Sequence, residues 1–248
     1  MNLMEKLTEI INEKDGSQLV LIPEGDFLMG SDEGYPSERP AHRVFVSAFY
    51  IAKNLVTNSQ YRRFVVDTGY AVPYLDDPRA EWANWDRDSK TFPAGHENHP
   101  VVLTAWVDAK AYCEWAGTRL ATEAEWERAA RGGLDAKLFP WGDEEISHEL
   151  ANYDNQEGTT PVGAYPANGY GLFDMVGNAW EWVADYYDAK YYAHSPPRDP
   201  SGPEQGSSRV LRGGSWMLFA RYCRVSYRFR NSPNFHASLI GFRVARSL

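Results

Sequence analysis

Several features are scarce or missing in this sequence of 248 residues. There are two cysteines, Cys113 and Cys223, which excludes a scaffold held together by several disulfides. No long uncharged apolar run occurs and the mean hydropathy is −0.53, which excludes a membrane-spanning helix. The first residues lack the basic-then-apolar order of a signal peptide, so the sequence predicts a cytoplasmic location.

Acidic residues and lysine are absent from residues 207–248, which contain eight arginines. These are Arg209, Arg212, Arg221, Arg224, Arg228, Arg230, Arg243 and Arg246. All 34 acidic residues therefore precede this segment, together with the other 17 of the 25 basic residues. Arginines interleaved with aromatics suit a nucleic-acid surface, but arginine without lysine is more typical of bidentate pairing with carboxylates. We expect most of these arginines to pair internally, and we expect no nucleic-acid partner.

What the chain has in abundance is aromatic side chains, 14% of the residues, which excludes a disordered protein. Capping-box spacings at Thr57 and Thr122 predict helices that end at Gly69 and at Gly132. An apolar face predicts a third helix over 104–117. A short amphipathic helix is predicted over 3–13, and strands over 18–30 and 43–51. Beyond residue 133 loops dominate and two short strands are expected, over 209–212 and 241–245, so the chain is predicted to form one loop-rich α+β domain.

The cysteines and histidines give few candidates for chemistry. Cys113 falls on the apolar helix face, which favours a core position. Cys223 lies among arginines that would lower the pKa of its thiol, so a reactive thiolate is an open alternative. His96 and His99 are close enough for a metal but lack a recognisable third ligand.

Two segments carry the oxygen donors that calcium prefers. Residues 152–157 and 174–181 combine carboxylates, amides and exposed carbonyls in turn-rich sequence. The same residues also make Asx-turns, so both readings stay open from the sequence.

Several motifs, taken together and in order, resemble a known family. They are Phe27-Leu-Met-Gly-Ser, Val56-Thr-Asn-Ser-Gln-Tyr, Arg119-Leu-Ala-Thr-Glu-Ala-Glu-Trp-Glu, Gly169-Tyr-Gly-Leu-Phe-Asp-Met-Val-Gly-Asn-Ala-Trp-Glu-Trp, Arg212-Gly-Gly-Ser-Trp and Gly241-Phe-Arg. The chain resembles the sulfatase-modifying-factor family, whose founder is the formylglycine-generating enzyme. The resemblance implies a C-type-lectin-like α+β fold over residues 18–248, preceded by an N-terminal helical extension over 1–17.

The resemblance also implies two structural calcium sites and an oxidase centre. The first calcium set comprises Asn152, Tyr153, Asp154 and Gln156, and the second comprises Asp174, Gly177, Ala179 and Glu181. The family's oxidases bind copper through two cysteines five residues apart. Here Cys223 matches the second, with Ser215 nearby as a further catalytic candidate, but Leu218 stands at the first position, and an alkyl side chain cannot replace a thiolate in binding Cu(I).

A branch of this family uses the fold for binding, with surface positions near the C-terminus randomised by diversity-generating retroelements. The corresponding ligand-binding positions are Trp216, Met217, Leu218, Phe219, Tyr222, Val225, Phe229, Ser232, Phe235, His236, Ala237, Ser238 and Leu239. The broken cysteine pair favours non-catalytic recognition of a protein or small-molecule ligand. The alternative is a divergent oxygen-dependent oxidoreductase acting on cysteine or thiol substrates.

Overall fold

The computed structural model describes residues 8–248, which form three α-helices, ten β-strands and short 3₁₀ turns. The helices are α1 (Asn58–Thr68), α2 (Trp106–Ala116) and α3 (Glu123–Arg131). The strands are β1 (Glu9–Ile11), β2 (Gln18–Ile22), β3 (Gly25–Met29), β4 (His42–Val46), β5 (Phe49–Ala52), β6 (Trp180–Tyr186), β7 (Arg209–Arg212), β8 (Phe229–Asn231), β9 (Ile240–Phe242) and β10 (Ala245–Ser247).

The strands form three sheets. One has the order β1-β2-β5-β10, a second pairs β3 with β4, and the third has the order β8-β7-β6-β9. In the third sheet β6 is antiparallel to β7 and parallel to β9, which places Glu181 between Arg212 and Gly241. The last strand, β10, pairs with β5 in the first sheet, so the C-terminal segment crosses from one sheet to the other.

The three predicted helices are present, and their ends follow the local signals. The Thr57 hydroxyl accepts from the Gln60 backbone N–H, and Thr122 and Glu125 repeat this arrangement at the start of α3. Gly69 and Gly132 end α1 and α3 with φ of +73° and +58°, a conformation that favours glycine.

The helix predicted over 3–13 is wrong at Glu9–Ile11, which form strand β1; residues 1–7 lie outside the described part of the chain. β1 pairs with β2 across a turn in which the Asp15 carboxylate accepts from Asn12 and Ser17. This ladder outweighs the weak intrinsic helix preference of a short segment. The boundary at residue 18 stays a prediction.

Three apolar clusters fill the interior, of which the smallest surrounds Leu55 and Leu103. The first surrounds Trp126 of α3 and contains Cys223, and the second packs Tyr61 and Tyr112 of the other helices against Trp182 of β6. Cys113 belongs to the second cluster, as its position on the helix predicts.

Candidate binding surface

Four arginines of the C-terminal segment form ion pairs with carboxylates of the preceding part. Arg212 pairs with Glu127, Arg224 with Glu38, Arg228 with Glu123, and Arg243 with Glu181. All four carboxylates are at least 97% buried in these pairs. Burial raises the pKa of Glu123, but Arg228 and Arg212 outweigh it, so the pKa of Glu123 lies below its ordinary value.

Three further arginines lie on aromatic rings instead of carboxylates. Arg209 lies 3.4 Å from the ring centroid of Tyr186, Arg230 lies 4.8 Å from that of Tyr187, and Arg221 contacts Tyr222. Pairing with carboxylates thus holds for half of the eight arginines, and not for most of them. The segment is threaded through the sheets and is not a free basic arm.

The thirteen predicted ligand-binding residues divide by exposure. Met217, Phe219, Phe229, Ser232 and Phe235 are exposed. Leu218, Tyr222, His236, Ala237, Ser238 and Leu239 are half-buried. Trp216 and Val225 are buried, which corrects their assignment to the surface. Val225 packs in the same core cluster as Cys223. The ring of Trp216 packs edge-on against the ring of Trp82.

Hydrogen bonds and ring stacking fix the segment that carries the exposed residues. Trp216 donates from its ring nitrogen to the Ser238 carbonyl at 3.2 Å, which joins the two ends of the surface. The Leu103 N–H donates to the Ala237 carbonyl at 3.1 Å. Phe229 stacks on Trp180 of β6 with ring centroids 5.5 Å apart. The exposed apolar groups are therefore presented by a fixed framework.

An open cleft of about 490 Å³ lies beside this surface. Met217, Phe235 and Leu239 line it from the C-terminal segment, and Leu75 and Ala80 line it from the loop before α2. No motif in the sequence predicts a role for that loop. Its apolar residues are isolated in sequence, so only the fold brings them to the cleft.

The enzyme alternative needs an accessible and reactive Cys223, and the structure differs on both points. Cys223 is fully buried, and burial raises the pKa of its thiol to about 12. The predicted lowering of this pKa is wrong because Arg224 and Arg228 pair with Glu38 and Glu123. Ser215 is also fully buried, and its hydroxyl has no hydrogen-bond partner in the described part of the chain. With Leu218 in place of a thiol, these residues do not fit a copper ion.

Glu181, a member of the second calcium set, is engaged by other groups. Its two carboxylate oxygens accept from Arg243, each at 2.7 Å, and one also accepts from Trp126 at 2.8 Å. Of the same set, Asp174 accepts from the Gly163 N–H at 2.8 Å, and burial raises its pKa. As arranged, the guanidinium of Arg243 supplies the positive charge beside Glu181, and calcium at this set stays a prediction from the family resemblance.

The first calcium set lies in the loop that supports the surface. The Asp154 N–H donates to the Leu218 carbonyl at 3.1 Å, and the Asn155 N–H donates to the Trp216 carbonyl at 2.9 Å. Asp154 is exposed and has a φ of +44°. The oxygens of this set suit calcium, although the side-chain oxygen of Asn152, its fourth member, accepts from Asn155.

Other metal and membrane features are not found within residues 8–248. The rings of His96 and His99 are tilted by 48° with their centroids 4.4 Å apart, and His99 contacts the Thr159 hydroxyl at 3.0 Å. No group of three or more His, Cys, Asp or Glu side chains suited to a metal occurs in this range. None of its helices is long and apolar enough to cross a membrane.

The fold is C-type-lectin-like, of the formylglycine-generating-enzyme type. The family model described as a sulfatase-modifying factor enzyme 1-like domain matches residues 6–248, and the chain belongs to this family. It is 39% identical to the formylglycine-generating enzyme of Streptomyces coelicolor, over 91% of this chain and 88% of that protein.

Solved structures agree with this assignment. PvdO from Pseudomonas aeruginosa is 30% identical, with a TM-score of 0.84 over 98% of this chain and 100% of its own. Treponema denticola variable protein 1 has a TM-score of 0.81 over 99% of this chain and 100% of its own. The latter is 24% identical and supports the fold alone.

Proposed function

We propose that this chain is a non-catalytic ligand- or protein-binding module whose recognition surface lies within residues 216–239. One observation carries the proposal: four large apolar side chains in this segment are 40–52% exposed, namely Met217, Phe219, Phe229 and Phe235. Exposed aromatic and methionine side chains on a fixed framework are typical of binding surfaces. Binding is also consistent with the buried Cys223.

The test is selection of a phage-displayed random peptide library against the full chain. The selected peptides are then measured against a variant in which all four exposed side chains are replaced by serine. A control replaces four apolar side chains outside residues 216–239 that are 37–67% exposed, Ile11, Val66, Leu134 and Leu138.

The expected result is binding at least about tenfold weaker to the four-serine surface variant, with the control unchanged. Peptides that bind both variants equally, or no selectable peptide, would contradict the proposal. Circular dichroism of both variants checks that they fold.

Diversification by a retroelement is a finer part of the proposal. The exposed and half-buried positions between 217 and 239 all carry residue types that a codon randomised at its first two bases and ending in C can encode, Met217 excepted. Sequencing of the flanking DNA tests this: a near-copy of the 3′ coding segment beside a reverse-transcriptase gene supports diversification, and its absence counts against it.

A structural calcium ion at Asn152, Tyr153, Asp154 and Gln156 is also part of the proposal, because this loop bonds directly to Trp216 and Leu218. In our proposal the ion would fix the loop that supports the surface. A cytoplasmic location stays a prediction from the sequence.

A second candidate function is a divergent oxidoreductase acting on cysteine or thiol substrates. The observation that favours it is the 39% identity to a formylglycine-generating enzyme. The buried Cys223 and the alkyl side chain of Leu218 favour the binding function instead.

A further inference from the structure

A second compartment lies next to the apolar cleft beside the recognition surface. His236 lines both, so it stands where the two meet. The second compartment has a volume of about 550 Å³ and is open to solvent. Each is within the size range of pockets that hold a side chain or a small ligand.

The first compartment is lined mostly by aliphatic groups. Leu75, Ala80, Met217 and Leu239 contribute alkyl or thioether surface, and Phe235 contributes one exposed ring. The charged groups at this end, Asp77 and Arg79, are bonded to each other at 2.6 Å. This end therefore suits an uncharged apolar side chain.

The second compartment is cationic. Arg87 and Lys90 line it, and in the described part of the chain neither forms an ion pair with a carboxylate. The Arg87 guanidinium lies 3.6 Å from the ring centroid of Tyr74, which holds it at the wall.

Asp108 is the acidic residue that lines this compartment, and its carboxylate already has two donors. One oxygen accepts from the Ala105 N–H at 2.8 Å at the start of α2, and the other accepts from the Tyr70 hydroxyl at 2.9 Å. Asp108 therefore serves as a helix cap and leaves the two cationic groups to a ligand.

We propose that this two-part groove binds a protein segment in which an apolar side chain stands next to one or more carboxylates. The apolar side chain enters the compartment at Phe235 and Leu239, and the carboxylates meet Arg87 and Lys90. This inference rests on the proposed function and names the chemistry of its partner. Neighbouring apolar and cationic surfaces select a ligand that carries both complementary features.

A protein segment fits this groove better than a nucleic acid does. Bases need several free aromatic faces for stacking, whereas the first compartment offers one exposed ring among aliphatic groups, and in the second compartment Arg87 covers the ring of Tyr74. The chain also has a net charge of −9, which repels a long polyanion but hardly affects a short acidic segment within the groove.

The test uses an array of short synthetic peptides with leucine or phenylalanine at the centre. Neighbouring positions carry glutamate, lysine or serine in all combinations. The full chain is compared with a double variant, Arg87→Glu with Lys90→Glu. The matched control is Arg43→Glu with Lys137→Glu, an identical charge change at exposed ion pairs outside both compartments.

The expected result is that glutamate peptides bind the wild type at least about tenfold better than lysine peptides, and that Arg87→Glu with Lys90→Glu reverses this preference. The control keeps the wild-type preference. Binding of apolar peptides without any charge preference would overturn this inference and leave the proposed function standing. Binding of no array peptide would also overturn it. Single-stranded oligothymidylate is tested in parallel, and if it binds the wild type but not the double variant, the partner is a nucleic acid and the inference is overturned.

Discussion

Arg243 forms an ion pair and also bonds to the backbone of two other segments. Besides its two bonds to Glu181, its guanidinium donates to four backbone carbonyls in two places, at Ala52 and Lys53 where β5 ends and at Phe173 and Asp174 in the loop before β6. A charge in this position is fully buried, so its stability depends on every one of these acceptors. The residue thereby joins β5, β6 and the loop before β6.

The first prediction concerns this ion pair. Arg243→Met leaves the Glu181 carboxylate buried without its cation, and we expect the free energy of unfolding to fall by about 3–5 kcal/mol. Urea denaturation measures this. Arg79→Met removes an exposed arginine that also pairs with a carboxylate, and it should leave the unfolding midpoint unchanged. Equal effects of the two substitutions would contradict the structural role of Arg243.

The second prediction concerns the two thiols. Burial raises the pKa of both Cys113 and Cys223 to about 12, so neither forms thiolate at neutral pH in the folded state. We expect iodoacetamide to modify neither in the native protein and both after unfolding in urea, as measured by mass spectrometry of the intact chain. Rapid native modification of Cys223 alone would instead support the enzyme alternative.

At the scale of secondary structure elements, α3 joins the buried charges to the fold. Its first residue, Glu123, pairs with Arg228, and its first backbone N–H donates to the Asp185 carboxylate of β6 at 2.8 Å. Burial and the nearby negative charge of Glu123 raise the pKa of Asp185 well above its ordinary value.

The third prediction follows from the sign of that shift. The folded state holds a proton on Asp185 that the unfolded state loses, so this group makes the wild type less stable as pH rises above about 4. Asp185→Asn stays neutral and can still accept from the Glu123 N–H. Its free energy of unfolding, relative to wild type, should therefore be higher at about pH 8 than at about pH 5. Urea melts at both values check this, and a difference that does not change with pH would contradict it.

Prediction from sequence succeeded for elements with local signals. The helices are fixed by Thr57, Thr122 and the glycines that follow, all within one turn of the ends. Strand β6 was not predicted, because its near-continuous buried run has no alternation and its partners β7 and β9 lie far along the chain. Of the residues that the sequence assigns to a binding surface, Trp216 and Val225 are buried, since position in the sequence does not determine side-chain direction.

At the scale of the whole molecule, the uneven charge of the sequence is resolved inside the fold. Four guanidinium groups of the basic C-terminal segment pair with carboxylates of the preceding acidic part. These ion pairs anchor the segment to the rest of the fold. Arg221 and Arg230, in contrast, remain exposed beside the apolar surface. The family motifs contain both partners of the pairs Arg212–Glu127 and Arg243–Glu181, whereas the groove walls come from residues with no motif of their own.

The fourth prediction tests the proposed calcium site. After treatment with EDTA, added calcium should raise the melting temperature, because an ion that binds only the folded state stabilises it by about 2.7 kcal/mol at a hundredfold excess over Kd. Asp154→Asn should lose this shift, whereas Asp174→Asn should keep it. A calcium effect that depends on Asp174 and not on Asp154 would place the ion at the other set.

The distinction between recognition and oxidation rests most directly on one assay. The purified chain is incubated with copper, oxygen and a cysteine-containing peptide, beside the Streptomyces coelicolor formylglycine-generating enzyme as a positive control, and the peptide mass is measured. With Leu218 at a ligand position and Cys223 buried, we predict an unchanged peptide in the presence of this chain and conversion by the control. Formation of formylglycine by this chain would contradict the account.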